Sequence, residues 1–218
     1  HPHIRAAVGA QLGRLPHVML GGLAHPQALA LAGRLPRLLP GDLDHVFFTE
    51  SGSVSVEVAM KMALQYRMNR GEHRRTRFLS FRGAYHGDTF ATMSVCDPEE
   101  GMHRLFNAML PKQLVLALPE DEESAHEFER SVAARAHELT AVIVEPLVQA
   151  AGGIKFPPPA TLERVAAAAR RHDLLLIFDE IAVGFGRLGT LFACEQAGIV
   201  PGIITLSKAL ARGKMPLA

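Results

Sequence analysis

Short apolar runs alternate along this chain with longer segments of helical periodicity. Strand-length apolar runs lie at 77–81, 114–118, 141–144, 174–178 and 203–206, and each predicts a buried strand. Periodic segments that predict helices lie at 27–39, 54–69, within 119–140 and at 161–172. A further β-prone run, VFFT at 46–49, predicts one more strand. This alternation predicts an α/β fold: three layers, with a mostly parallel sheet covered by helices on both faces.

Charged side chains follow three of these strands at their carboxyl ends. Asp179 and Glu180 come after the run at 174–178, and Lys208 comes after the run at 203–206. Ligands of open α/β sheets bind at this edge. A carboxylate and a lysine presented together there suit a cofactor that needs an anion at one atom and an amine at another. Glu145 ends the run at 141–144 in the same way, and either contacts such a site or braces it.

Two loops add candidate binding groups. Ser51-Gly52-Ser53 lies between VFFT and a helix, where backbone N–H groups and the helix dipole attract an anion. Helix capping by the two serines explains the same residues. The loop after 77–81 carries Tyr85, His86 and Asp88 between glycines. Tyr85 can stack on a planar ligand, His86 can orient Tyr85 or another side chain, and Asp88 can accept hydrogen bonds; an ordinary polar turn with a buried ring is the alternative.

Composition narrows the functional classes. At 218 residues the chain can bury the core of one large domain. Its 23 basic and 22 acidic residues nearly cancel, so charge gives no support for nucleic-acid or membrane partners. The two cysteines form neither a disulfide framework nor a metal-binding spacing, and no metal motif is present. Because a chain without a disulfide framework suits a reducing compartment, we expect a cytoplasmic protein. The first residue is not Met, so we expect the chain to begin inside a longer protein.

Three kinds of function compete for Asp179 and Lys208. An apolar run followed by Asp-Glu is also the Walker B pattern of nucleotide hydrolases, but the Walker A loop GxxxxGK[ST] is absent from this sequence. Pyridoxal phosphate chemistry needs a lysine for the aldehyde, an acid for the pyridine nitrogen, an aromatic ring and a phosphate-binding helix terminus. Lys208, Asp179, Tyr85 and Gly52-Ser53 supply these parts. A non-catalytic fragment that only associates with a partner is the third candidate.

The order of these motifs resembles the class III, fold-type I aminotransferases. The supporting stretches are GGLAHPQALALAGRL, SGSVSVEVAMKMALQY, FRGAYHGDT, CDPEEGMH, VEPLVQAAGGIKF and FDEIAVGFGRLGTLFACEQAGIVP. They are most similar to the biotin-biosynthesis branch. That branch implies amino transfer from S-adenosylmethionine to 8-amino-7-oxononanoate, giving 7,8-diaminononanoate. Another class III ω-aminotransferase, of the ornithine or 4-aminobutyrate type, is the alternative within the family.

The resemblance assigns roles to individual residues. It implies that Lys208 attaches pyridoxal 5'-phosphate and moves a proton, that Asp179 pairs with the pyridine nitrogen, and that Tyr85 stacks on the ring. It implies that Gly52 and Ser53 bind the phosphate. The implied substrate contacts, to a small-molecule amino donor and a keto acceptor, are Tyr85, Asp88, Glu145 and Arg187.

The resemblance also implies a domain organisation. Residues 1–40 would be a helical lead-in and residues 41–218 the cofactor-binding large domain, without the C-terminal small domain of the homodimeric parent. Two departures from the family pattern stand out. Lys214 lies close to Lys208 in a stretch where similar enzymes have Thr-Gly-Gly, and Glu50 stands where an Asp is frequent.

Overall fold

The computed structural model describes residues 1–218 and divides them into two units, His1–Val46 and Phe47–Ala218. The first unit contains helices α1 (Pro2–Leu12) and α2 (Pro26–Leu38). The His25 side chain caps α2 by accepting from the Ala28 N–H, and a proline occupies the first turn, where its missing N–H is harmless. The helix expected at 27–39 is therefore confirmed to within a residue.

The second unit is a parallel α/β sheet with its helices. Its helices are α3 (Gly52–Asn69), α4 (Phe90–Ser94), α5 (Glu122–Arg135), α6 (Pro159–Arg171) and α7 (Cys194–Ala197). Its strands are β1 (Arg77–Phe81), β2 (Leu114–Leu116), β3 (Leu139–Val144), β4 (Leu175–Asp179) and β5 (Ile203–Thr205). All neighbours pair in parallel in the order β2-β1-β3-β4-β5. Every strand expected from the five main runs is confirmed.

Alternate strand residues cover the two faces of the sheet. Phe78, Ile143 and Ile177 pack with residues of α3 in one buried cluster. Because side chains alternate along a strand, Phe81 points to the opposite face from Phe78. There its ring lies 5.9 Å from that of Phe128 on α5. The sheet is thus the middle of three layers, as the sequence predicts.

The prediction of a strand at 46–49 is wrong. The segment has no sheet partner, and only Thr49 exchanges backbone hydrogen bonds, in both directions, with Ala218. A single residue pair cannot form a ladder, although the β-branched and aromatic side chains favour extended backbone. The short helices α4 and α7 were not predicted, because four or five residues are too few to show helical periodicity.

The strand order places a crevice at the carboxyl edge of the sheet. From β1 the chain moves to β2 on one side, and then crosses to β3 on the other side. Such a reversal of direction separates the loops that leave neighbouring strands and makes room for a ligand. None of the helices combines the length and the apolar composition that a membrane crossing demands.

Candidate active site

One cavity collects loops from four strands at this edge, together with the N-terminus of α3. Its volume is about 210 Å³, several times the roughly 30 Å³ that one water molecule occupies in the liquid. The side chains and backbone that line it belong to Ser51, Gly52, Ser53, Tyr85, His86, Gly87, Glu145, Ala150, Ala151, Asp179, Ile181, Ala182, Ser207 and Lys208. The fold therefore brings Asp179, Lys208, Tyr85, Glu145 and the Ser-Gly-Ser turn to a single cavity.

Asp179 is the buried anion of this cavity. It is the last residue of β4 and only 4% exposed. One carboxylate oxygen accepts from His86 Nδ1 at 2.8 Å. The other accepts from the Ile181 N–H at 3.2 Å and the Thr205 hydroxyl at 3.4 Å. Because a carboxylate only accepts, the His86 proton lies on Nδ1. Three donors thus hold this buried carboxylate in one orientation.

His86 is the orienting residue that the sequence left without a definite partner. It is 2% exposed, and its Nε2 is buried without a hydrogen-bond partner. A polar atom buried in this way costs stability. The contact with Asp179 gives the imidazole a role that offsets this cost. No local pattern links the two residues, which are 93 positions apart and meet only through the sheet.

Two further buried acids brace the loops around the cavity. Glu145 accepts from the Tyr85 N–H and the Ala150 N–H, both at 3.1 Å. Burial raises its pKa above the ordinary value, more than these donors lower it. Glu180 accepts from the backbone N–H groups of Ala193 and Cys194 at 2.8 Å, and burial raises its pKa as well. Both acids position backbone, and Glu145 also lines the cavity.

The N-terminus of α3 forms the opposite wall. Ser51 caps the helix by accepting from the Val54 N–H at 3.2 Å, as the capping interpretation holds. Ser53 does not cap it; its hydroxyl accepts from the Asp88 N–H at 3.0 Å. Two glycines permit close packing here. A Cβ on Gly87, whose φ is +128°, would lie 2.6 Å from Ser53 Oγ, and a Cβ on Gly52 would lie 3.0 Å from Ile181. The turn therefore packs closely against its neighbours and still lines the cavity with Ser51, Gly52 and Ser53.

Tyr85 separates this cavity from a second one. Its hydroxyl donates to Asp88 Oδ2 at 2.9 Å, and its ring stacks on His103, with centroids 5.8 Å apart and planes at 24°. His103 Nε2 lies 2.9 Å from Asp88 Oδ1. Burial, followed by the contact with Asp88, raises the pKa of Tyr85. His103 was missed by the sequence reasoning, because it lies in an irregular loop and its motif, CDPEEGMH, gives no spacing that points to Tyr85.

The remaining candidates differ in position. Lys208 lies in a 3₁₀ turn directly after β5, lines the cavity, is exposed, and has no ion-pair partner. Lys214 is exposed and does not line the cavity. Arg187 is also exposed and does not line the cavity. Asp88 does not line the cavity either, but it forms hydrogen bonds with Ser53 and Tyr85, which do. The structure thus separates Lys208 from its nearby competitor.

Comparisons with known proteins agree with this geometry. The sequence model of the family described as Aminotransferase class-III matches residues 1–218. A curated relative from Mycobacterium leprae, adenosylmethionine-8-amino-7-oxononanoate aminotransferase, is 49% identical over 221 residues, covering 100% of this chain and 51% of its own length. Its namesake from Corynebacterium glutamicum is 46% identical, with 100% and 53% covered. The chain thus spans about half the length of these relatives.

Solved structures give the same result. The adenosylmethionine-8-amino-7-oxononanoate aminotransferase of Methanocaldococcus jannaschii superposes with a TM-score of 0.93 at 34% identity, over 100% of this chain and 50% of that one. A pyridoxal-phosphate-bound aminotransferase mutant from Vibrio fluvialis superposes with a TM-score of 0.91 at 27% identity, over 100% and 51%. A match over the whole chain leaves no segment for a Walker-type nucleotide hydrolase. The chain belongs to the class III aminotransferases.

Proposed function

We propose that this chain is the cofactor-binding part of a pyridoxal 5'-phosphate-dependent aminotransferase. The observation that carries the proposal is the single cavity in which a buried carboxylate, an unpaired lysine and the N-terminus of a long helix meet. These groups fit the cofactor. Gly52 and Ser53 line the cavity at the N-terminus of α3, where backbone N–H groups attract a phosphate. Asp179 offers a fixed carboxylate to a protonated ring nitrogen, and Lys208 offers an amine.

The residues divide the work of transamination among them. The cofactor, when bound, supplies an electron-withdrawing ring that stabilises negative charge on the carbon that loses a proton. Asp179 would pair with the protonated ring nitrogen, because a buried carboxylate favours a cation beside it. His86 holds that carboxylate in place. Lys208 would bind the cofactor's aldehyde through its amine and, as a free amine, would be the group that moves a proton. Ser53 and the α3 backbone hold the phosphate.

The substrates proposed are those named by the relatives. The amino donor would be S-adenosylmethionine and the keto acceptor 8-amino-7-oxononanoate, giving 7,8-diaminononanoate for biotin biosynthesis. The identities of 49% and 46% to enzymes with this name support the choice over other class III ω-aminotransferases. We further propose substrate contacts by Tyr85, Asp88, Glu145 and Arg187, a homodimeric full-length protein, and a cytoplasmic location, which two buried free cysteines support. Residues 1–40 would be the lead-in to the large domain at 41–218.

The test of cofactor attachment is chemical trapping. The protein that contains this chain at its full length is loaded with pyridoxal 5'-phosphate, reduced with borohydride, digested and mapped by mass spectrometry. The label is expected on Lys208, to disappear in Lys208→Ala, and to remain in the control Lys214→Ala. A label on Lys214, or no label at all, would overturn the proposal. Repeating the experiment on residues 1–218 alone shows whether this part suffices to bind the cofactor.

The substrates require a separate assay. The full-length protein is given S-adenosylmethionine, ornithine, 4-aminobutyrate or a simple primary amine in turn, and the conversion of the cofactor to its amine form is followed by absorbance. We expect conversion by S-adenosylmethionine and reoxidation by 8-amino-7-oxononanoate. Conversion by ornithine or 4-aminobutyrate alone would move the protein to another branch of the family. A protein that takes up no cofactor would instead support a non-catalytic role.

A further inference from the structure

His103 takes part in a closed set of contacts at the edge of the cavity. Its Nε2 faces one oxygen of Asp88, and the Tyr85 hydroxyl faces the other, both at 2.9 Å. Its ring lies against the Tyr85 ring. Each of the three side chains is therefore held by the other two. We call this set the Tyr85–Asp88–His103 clamp.

The clamp is joined to both walls of the cavity. Tyr85 lines the cavity itself, and the backbone N–H of Asp88 donates to the hydroxyl of Ser53 at the N-terminus of α3. Tyr85 and His103 also line the second cavity, of about 300 Å³. A displacement of His103 would therefore change the position of Tyr85 through the ring contact and that of Ser53 through Asp88.

The burial of His103 is otherwise unexplained. The residue is 6% exposed, although it belongs to an irregular loop whose neighbours Met102 and Leu105 are 67% and 89% exposed. Because the Asp88 carboxylate only accepts, Nε2 carries the proton, and the buried Nδ1 is left without a partner. Such a nitrogen costs free energy and calls for a compensating role. The contacts of His103 with Asp88 and Tyr85 are the ones that compensate.

The charge of Asp88 depends on the same contacts. Burial acts to raise the pKa of Asp88, but the hydrogen bonds from His103 and Tyr85 outweigh it, so that the pKa lies below its ordinary value. Its side chain remains 65% exposed. The clamp thus presents a fixed negative charge to solvent beside the cavity, where a cationic amino substrate would approach.

We propose that His103 is a positioning residue of the proposed transamination: it fixes the Tyr85 ring and the Asp88 carboxylate where the amino substrate enters. The inference rests on the proposed function. It touches neither the proposed lysine nor Asp179, so its loss should weaken substrate binding more than proton transfer. A charge-assisted hydrogen bond of this kind is expected to change KM by about tenfold or more.

The test uses matched variants of the full-length protein. His103→Phe keeps an aromatic ring against Tyr85 but cannot donate to Asp88. His103→Gln keeps a donor at the position of Nε2 but loses the flat ring. His137→Phe removes an exposed histidine far from the cavity and serves as the control. We expect His103→Phe to raise KM for the amino donor about tenfold or more with a smaller change in kcat, and His103→Gln to recover part of the loss.

A double-mutant cycle shows whether His103 acts through Asp88. Asp88→Ala and His103→Phe should each raise KM, and the double variant should be little worse than Asp88→Ala alone, because both substitutions remove the same contact. Equal KM values in His103→Phe and the wild type, or fully additive effects, would overturn the inference. If His103→Phe does not fold, His103→Asn, whose amide is too short to reach Asp88, takes its place. An inactive wild type would instead count against the proposed function itself.

Discussion

The contact between His86 and Asp179 can be tested with two variants of nearly equal size. Asn carries its amide nitrogen three bonds from Cα, as histidine carries Nδ1, so His86→Asn keeps a donor for the Asp179 carboxylate. The Leu side chain of His86→Leu has almost the same branched shape as Asn but carries no donor. The two variants therefore leave similar space where the imidazole was, and the difference between them reports on the 2.8 Å hydrogen bond.

The magnitude follows from the burial of both groups. His86 is 2% and Asp179 4% exposed, so water cannot replace the lost donor. A hydrogen bond to a carboxylate contributes about 1.5–3 kcal/mol. We expect His86→Leu to unfold at lower urea concentration than His86→Asn, by about 1.5–3 kcal/mol in the free energy of unfolding at neutral pH.

The same pair of variants reports on cofactor binding. In the full-length protein, a loosened Asp179 should weaken pyridoxal 5'-phosphate binding by about 10- to 150-fold in His86→Leu relative to His86→Asn. Absorbance titration measures this dissociation constant. Thr205→Val, which removes only the longest contact to Asp179, at 3.4 Å, is the control and should change both quantities much less. Equal stability and equal affinity in the Leu and Asn variants would refute the assignment of His86 as the residue that orients Asp179.

Three further predictions concern the frame of the site. Gly87→Ala should lower both cofactor affinity and the midpoint of thermal unfolding, since the new Cβ would lie 2.6 Å from Ser53 Oγ at a φ of +128°, and normal stability with normal affinity would contradict this. Asp97→Asn should cost about 1–3 kcal/mol in urea unfolding above about pH 5. Although burial acts to raise the pKa of Asp97, its backbone hydrogen bonds lower it, so this stabilisation is lost as pH falls below 3.8 and the variant should then converge on the wild type. Arg67→Met should destabilise the chain by about 1–3 kcal/mol, because the buried guanidinium ties α3 to the Thr140 carbonyl, and a loss no larger than in an exposed control such as Arg130→Met would show that the contact contributes nothing.

Strand and helix positions followed from local pattern, because buried strands and amphipathic helices have periods that a sequence displays directly. The positions of Asp179 and Lys208 followed as well, since parallel strands deliver their last residues to one edge. The strand prediction for VFFT at 46–49 failed because strand propensity does not show whether a partner strand exists. Contacts such as His103 with Asp88 could not be predicted, because they depend on how an irregular loop returns to the sheet.

The arrangement also shows how one cavity holds two buried carboxylates for different tasks. Asp179 accepts hydrogen bonds from an imidazole N–H, a backbone N–H and a hydroxyl, which together fix its orientation. Glu145 receives only two backbone N–H groups, and burial raises its pKa, with the charge of Asp179 adding to the rise. His86 therefore orients the carboxylate that faces the proposed ring nitrogen, while the neighbouring acid holds the loop that carries Tyr85.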